Sequence, residues 1–573
     1  MLQTLTTPRG KTLSGTPWQV YPRPQMRRDS YINLNGEWDF AVSSGKPETF
    51  DMRILVPFCP ESRLSGIGRH FEEGAPLWYR RRFLLHEGFR RERVLLHIGA
   101  ADQTAEVFVN GQHLCRHEGG YASFCVDITE ALAEENELVI RCTDDLHDQA
   151  FPYGKQVMNQ GGMWYTPVSG IWQTVWLESV PDIYIEKLNI ENHGASVTIS
   201  TVPPLEGTVS VEPLGQFPLE NGQVTIAPEN PHFWCPDDPY LYRFALETAQ
   251  DRVESYFAIR SLEIKKVGEY PRLCLNGKPY FFHGLLDQGY WPEGLLTAPA
   301  PESYADDILA MKRLGFNTLR KHIKVEPEEF YYQCDRLGMI VWQDMVNNSS
   351  YSYFRDTVLP TIGIQKWNDR RLHLDERSRN TFRQGAADAV NQLKNHPCIC
   401  YWTIFNEGWG QFDSDRVCGW FRTLDATRFI DATSGWFRGK NTDVDSRHQY
   451  FGKLRLTGDG LRPLVLSEFG GKTWRVEGHI FNPDKAYGYG ACPTREALNE
   501  AVAALYRESI VPAVEKGLCA AIYTQVSDVE DEVNGLITYD RRVVKLDADT
   551  MLPISRALQD AMEKTVASFE KMG

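Results

Sequence analysis

From about Lys265 onward the chain alternates short apolar runs with amphipathic runs of helical length, and a parallel α/β fold is the architecture that such an alternation builds. FFHGLL, TLRKHI, MIVWQDM, CICYWTIFNE, RPLVLSEFG and CAAIYTQV read as strands. Between or after them YADDILAMKRLG, EPEEFYYQCDRLG, TFRQGAADAVNQLKNH, RVCGWFRTLDAT and REALNEAVAALYRESIVPAVEK read as helices, the first two ending in the glycine common at helix C-termini. A (β/α)8 TIM barrel takes about 250 residues before insertions, so the stretch 265–573 has room for one.

The preceding sequence has a different texture. From Trp18 to about Pro181 short alternating runs such as YINLNGEWDF, RVLLHIGA, TAEVFVNGQHL and NELVIRCTD are broken by turn residues, the pattern of an all-β sandwich. Asn35-Gly36 and Asn110-Gly111 are expected as hairpin turns. Residues 182–264 suit one immunoglobulin-like sandwich, interrupted by the proline-rich PENPHFWCPDDPY. Three domains are therefore expected, 1–181, 182–264 and 265–573, in keeping with a length of 573 residues.

A formal charge of -15 opposes a nucleic-acid partner, because phosphate binding draws on a basic surface. It also disfavours anionic partners in general. The opening MLQTLTTPRGKTLSG lacks the apolar core of a signal peptide, and no run is apolar enough to span a membrane. The 12 Cys show no CxxC pairing. These features predict a cytoplasmic protein without a membrane partner.

Two carboxylates stand out, Glu407 in CICYWTIFNEGWG and Glu468 in RPLVLSEFGG. Each follows a mostly apolar strand, at the end of the barrel where catalytic loops lie. A lone strand-end Glu is commonly solvated by loop water. Two in matched contexts can split their pKa values into an acid and a base, which is what glycosidic cleavage needs. No HExxH or His/Cys cluster calls for a metal, and no cofactor is expected.

Several motifs, in order, resemble glycoside hydrolase family 2: LWYRRRFLL, VFVNGQHLCRHEGGYASFCVDIT and GGMWYTPVSGIWQTVWLE, then NPHFWCPDDPYLYRF, then MKRLGFNTLRKH, NHPCICYWTIFNEG and RPLVLSEFGG. The resemblance implies a jelly-roll sugar-binding domain, an immunoglobulin-like sandwich and a TIM barrel, and a double displacement that retains anomeric configuration. It implies Glu407 as acid/base, with Asn406 beside it, and Glu468 as nucleophile. Arg320 and Tyr450 match residues that pair with or hydrogen-bond the nucleophile.

Asp287, Gln288, His322, Asp344, Trp409, Trp474, Gln525 and Asp528 fall near strand C-termini or in the loops after them and complete the candidate pocket. Family members acting on glucuronides carry an Asn-x-Lys pair after the last barrel strand. Here QVSDVEDEVNGLITYDRR has none and offers Asp528, Glu530, Asp531 and Glu532 instead. A solvated acidic loop is the bland alternative, and Arg541, Arg542 and Lys545 beyond it are expected on the surface. The expected substrate is a glycoside or oligosaccharide with a neutral terminal sugar, β-D-galactoside first, then an α-L-arabinoside. A β-glucuronidase or galacturonidase, a catalytically silent carbohydrate-binding paralogue and a homo-oligomer that completes the pocket remain open.

Overall fold

The computed structural model describes residues 2–361, 364, 368–437, 439–452, 454 and 456–570. The first part of the chain forms two facing antiparallel sheets. The larger contains Gly36–Val42, Leu77–Phe83, Thr104–Val109 and Asn136–Thr143, and the smaller contains Tyr31–Asn33, Arg93–Ile98, Phe124–Asp127 and Val175–Val180. Alternation places Trp38, Phe40, Tyr79, Leu96, Val107 and Ile140 between the sheets, all buried.

Asn110-Gly111 is the expected hairpin, joining Thr104–Val109 to Gln112–Glu118 with positive φ at both residues (50° and 82°). Asn35-Gly36 is not a hairpin. The strands on its two sides belong to different sheets. Asn35 is instead a buried bracket, its amide donating to Trp18 O and Thr174 Oγ1 while its carbonyl oxygen accepts from Val175 N.

A second sandwich follows. Lys187–Asn192, Val197–Val202 and Gln223–Ile226 face Gly207–Val211, Gly215–Leu219, Tyr242–Thr248 and Arg252–Phe257 over Ile190, Ile199, Val209 and Leu246. The proline-rich segment between Gln223–Ile226 and Tyr242–Thr248 works as a plug. Trp234 is fully buried and donates Nε1 to Asp335 O in a barrel helix, at 2.7 Å. Strand Leu262–Val267, which runs through Lys265, pairs with Tyr270–Leu275.

The barrel has eight parallel strands: β1 (Phe282–Asp287), β2 (Thr318–Lys321), β3 (Ile340–Asp344), β4 (Ile399–Thr403), β5 (Phe429–Asp431), β6 (Asp445–Gln449), β7 (Leu464–Phe469) and β8 (Leu518–Thr524). Strand β8 pairs with β1, and the ladder is open only between β5 and β6. Helices α1 (Glu302–Arg313), α2 (Glu328–Leu337), α3 (Glu376–Leu393), α4 (Ser414–Phe421), α5 (Arg495–Leu505) and α6 (Ala548–Glu570) lie among these strands in chain order.

The sequence reading names six of the eight strands. Strand β5 has three residues, and β6 reads DSRHQ, with no apolar run to signal burial. The long helix expected from Arg495 breaks into a π-helical turn over Tyr506–Ile510, just before Pro512, whose ring nitrogen has no hydrogen to donate. No helix among the described residues is long and apolar enough to cross a membrane.

Candidate active site

Strands β4 and β7 bring Glu407 and Glu468 together. One oxygen of each carboxyl and a ring nitrogen of His448 all lie within 4.8 Å of one another. Glu468 sits on β7 itself, whereas Glu407 stands four residues beyond β4 with a left-handed backbone, φ 48°. That conformation is costly for a residue with a Cβ and needs support. Glu407 N donates to Ser434 O, Ser434 N to Phe405 O and Trp409 N to Asn406 O, at 2.8–2.9 Å. Gly408 continues the turn at φ 76°, where a Cβ would stand 2.2 Å from the Phe437 ring.

Arg320, at the end of β2 and wholly buried, organises the site. Its guanidinium donates to Glu468 Oε1 at 2.9 Å, Asp344 Oδ1 at 3.0 Å and Asn406 Oδ1 at 2.8 Å. Asn406 is thereby held by its oxygen, and its amide nitrogen is buried without a partner among the described residues. Tyr450 donates its hydroxyl to Glu468 Oε2. His322 Nδ1 lies 2.8 Å from Asp344 Oδ2.

Burial alone would push the Glu468 carboxyl up. The charges of His448 and Arg320 and the Tyr450 hydroxyl overcome that and hold it down at about 2. Burial lowers His322 and favours its neutral form. Asp344 is also lowered against its burial, chiefly by Arg320. Its carboxylate accepts, so the His322 proton sits on Nδ1 and leaves Nε2 as an acceptor.

The remaining expected residues lie in two networks. Asp287 accepts from Lys321 at 2.7 Å, and Lys321 also meets Glu326; Gln288 beside it is buried with its amide nitrogen unpartnered among the described residues. Gln525 donates to Asn534 Oδ1 at 2.9 Å, its own oxygen unpartnered among the described residues. Trp409 is 2 % exposed, its ring stacked on Trp164 at 5.2 Å, so the sandwich domain covers the face that a sugar would otherwise meet. Trp474 is half-buried against the barrel core.

The loop after β8 differs from the solvated acidic loop considered above. Asp528, Glu530, Asp531 and Glu532 are all buried. Each has its own donors: Lys545 for Asp528 at 2.6 Å, Thr166 N for Glu530, Asn482 for Asp531, and Tyr165 and Asn534 for Glu532. Lys545 is not on the surface but fully buried, because Asp528 and the Val533 carbonyl draw its ammonium inward. Arg541 lies half-buried against the Trp291 ring and beside Asp307, and Arg542 is exposed, as expected.

Sequence reasoning missed His448, Lys155, Trp164 and Tyr351. His448 Nδ1 lies 2.8 Å from Glu407 Oε1, and its Nε2 lies 3.1 Å from Ser434 Oγ and 3.3 Å from Arg320 Nη1. A signal existed, since His448 is two residues before Tyr450 and period-two alternation points both the same way once β6 is seen as a strand. Trp164 and Tyr351, edge to face at 4.8 Å, both pack on Trp409. Glu407, His448 and Glu468 are a set of side chains able to ligate a metal. Arg320 already places a positive charge against that set.

Residues 266–455 match the family model for the glycosyl hydrolases family 2 TIM barrel domain, and residues 70–162 that for the glycosyl hydrolase 2 galactose-binding domain-like unit. A β-galactosidase of Thermoanaerobacter pseudethanolicus is 24% identical over 358 residues, 57% of this chain and 44% of that protein. The chain spans about half the length of the curated relatives it matches. Among solved structures, the β-D-glucuronidase of Dictyoglomus thermophilum superposes with a TM-score of 0.71 at 18% identity, covering 95% of this chain and 98% of that one. A β-galacturonidase of Eisenbergiella tayi, bound to galacturonate, superposes with a TM-score of 0.65 at 17% identity, covering 95% and 99%. Two stretches of the chain thus match models for two different domains of glycoside hydrolase family 2, in the order in which the fold presents them.

Proposed function

We propose that this protein is an exo-acting, retaining β-glycosidase in which Glu468 attacks the anomeric carbon and Glu407 first protonates the leaving oxygen and then activates water. The observation that carries this reading is the pair of carboxyls within 4.8 Å of each other, with sharply different surroundings. Retaining enzymes hold the two groups about 5–5.5 Å apart, too close for a water molecule to attack from the far face as inversion requires.

Arg320 and Tyr450 keep Glu468 ionised, as a nucleophile must be. In the attack, one Glu468 oxygen bonds to the anomeric carbon as the C–O bond to the aglycone breaks. The proton of Glu407 leaves with the aglycone, and Glu407 then takes a proton from the water that releases the sugar. The unpartnered amide of Asn406 and the Nε2 lone pair of His322 offer a donor and an acceptor to sugar hydroxyls.

Two glycone classes follow from different observations. The acids after β8 favour a neutral sugar, a β-galactoside or α-L-arabinoside, by supplying hydroxyl acceptors, although each acid is already partnered. Lys155, a buried cation beside the Trp409 and Tyr165 rings, favours a uronide. The test is the anomer first released from a panel of nitrophenyl glycosides, followed by proton NMR before mutarotation. Release of the β-anomer from a β-glycoside supports the reading, and the α-anomer rules it out.

A further inference from the structure

Lys155 is a buried lysine, 6% exposed, for which no carboxylate or carbonyl accepts from Nζ among the described residues. Its ammonium lies 5.8 Å from the centre of the Trp409 ring and 5.5 Å from that of Tyr165. Those ring faces compensate a buried charge only in part. Most other deeply buried cations of the barrel mouth have their anions: Lys321 has Asp287 and Glu326, Lys324 has Glu326, and Lys545 has Asp528. Lys155 stands apart from them.

The loop that delivers it is fixed on both sides. Gly154 takes φ 62° with Tyr121 Oη and Ile323 O within 3.2 Å of where a Cβ would be, so the chain passes close over the end of β2. Tyr153 N donates to Asn347 O and Tyr153 Oη to Ser349 O, both just beyond β3. Gln156 is locked by Asp102, Tyr121 and Val168 N, and Tyr165 N donates to the Lys155 carbonyl. The backbone that carries Lys155 is thus held in place on both sides. Trp409 lies two residues beyond Glu407, and the charge of Lys155 is felt at His322 beside Glu468.

We propose that Lys155, supplied by the sandwich domain, is the specificity-determining cation of the site and receives the carboxylate of a uronic acid glycone. The proposal rests on the glycosidase reading above and deepens it. A neutral sugar leaves the ammonium as it is, whereas a uronate brings its anion into a site whose acids are already satisfied.

The test uses nitrophenyl β-glucuronide and β-galacturonide against the matching β-glucoside and β-galactoside, so that the aglycone is constant and only the glycone charge varies. Wild type is expected to favour a uronide over its neutral match in kcat/KM, and rising salt is expected to erode that preference. Lys155→Met should lower kcat/KM for the uronide about 100-fold more than for the neutral match, and Lys155→Arg should restore part of it. Equal losses on both, or a wild type that prefers the neutral sugar, would overturn the proposal and leave the glycosidase standing. Turnover of none of the four would overturn both. Should Lys155→Met fail to fold, the wild-type preference and its salt dependence still decide.

Discussion

His448 stands 2.8 Å from Glu407 through Nδ1, while the other nitrogen of the same ring faces Glu468 at 3.5 Å. Arg320 can only donate to Nε2, so in the neutral ring the proton sits on Nδ1, and the charged ring carries one there too. In both forms the hydrogen points at Glu407. One imidazole therefore orients the acid/base carboxyl and adds to the field that keeps its partner ionised.

Replacing it tests that double role. Burial raises Glu468, and the charge of His448 is the largest influence opposing it, so His448→Leu should raise the Glu468 pKa. The acid limb of kcat/KM should then move to higher pH, because Glu468 must be ionised to attack. A loss of about 100-fold in kcat is expected alongside. A pH profile with the limb unmoved would limit His448 to packing.

Glu468→Ala should lower kcat more than about 10⁴-fold, by removing the only group placed to form the covalent intermediate. Azide added to this variant should restore part of the turnover and yield the glycosyl azide of inverted configuration, readable by NMR. Substantial unassisted activity would reject the nucleophile assignment.

Glu407→Gln should slow alkyl glycosides about 10²–10⁴-fold and spare dinitrophenyl glycosides, whose leaving oxygen departs without a proton. Equal losses across leaving groups would place the acid elsewhere.

Stability should peak at mildly acidic pH. Burial raises Glu61, Glu328 and Glu530 to about 7, so the stability they bring is complete below their unfolded value of about 4.5 and is lost as pH rises through 7. Glu468 acts in the opposite sense. Its depressed pKa gives stability present above about 4.5 and lost as pH falls toward 2. The Tm should be about 2–5 °C higher at pH 5 than at pH 8 by scanning calorimetry. A Tm that rises across that interval would mean that the three buried acids do not govern it.

The alternating texture after Lys265 made the barrel legible, because six of its strands are apolar and lie between amphipathic helices. Strand β6 was not legible. Its polar residues are satisfied by tertiary partners that no local pattern reveals: Asp445 by Arg447, and His448 by Ser434, Arg320 and Glu407. The carboxylate pair could be read from its strand-end context, whereas Arg320 came from the family resemblance alone. The contributions of Lys155 and Trp164 could not, since both reach the site from a domain whose own pattern speaks only of sandwich packing.

Charge in the loop after β8 misleads for a related reason. Four acids within five residues suggest a repulsive, wet surface, yet Tyr165, Thr166, Asn482 and Lys545 convert them into internal fastenings. Sequence shows the acids but not which of them already have donors.

The stack of Trp164 on Trp409 has a consequence for how the protein comes into being. The two rings are nearly half the chain apart, so a ribosome finishes the sandwich long before the barrel residue that it will cover exists. Until the last strand closes on the first, the early domain holds a tryptophan and a lysine facing water. The cleft is thus assembled only once β8 has been made, and fragments that stop short of it should not hydrolyse a glycoside.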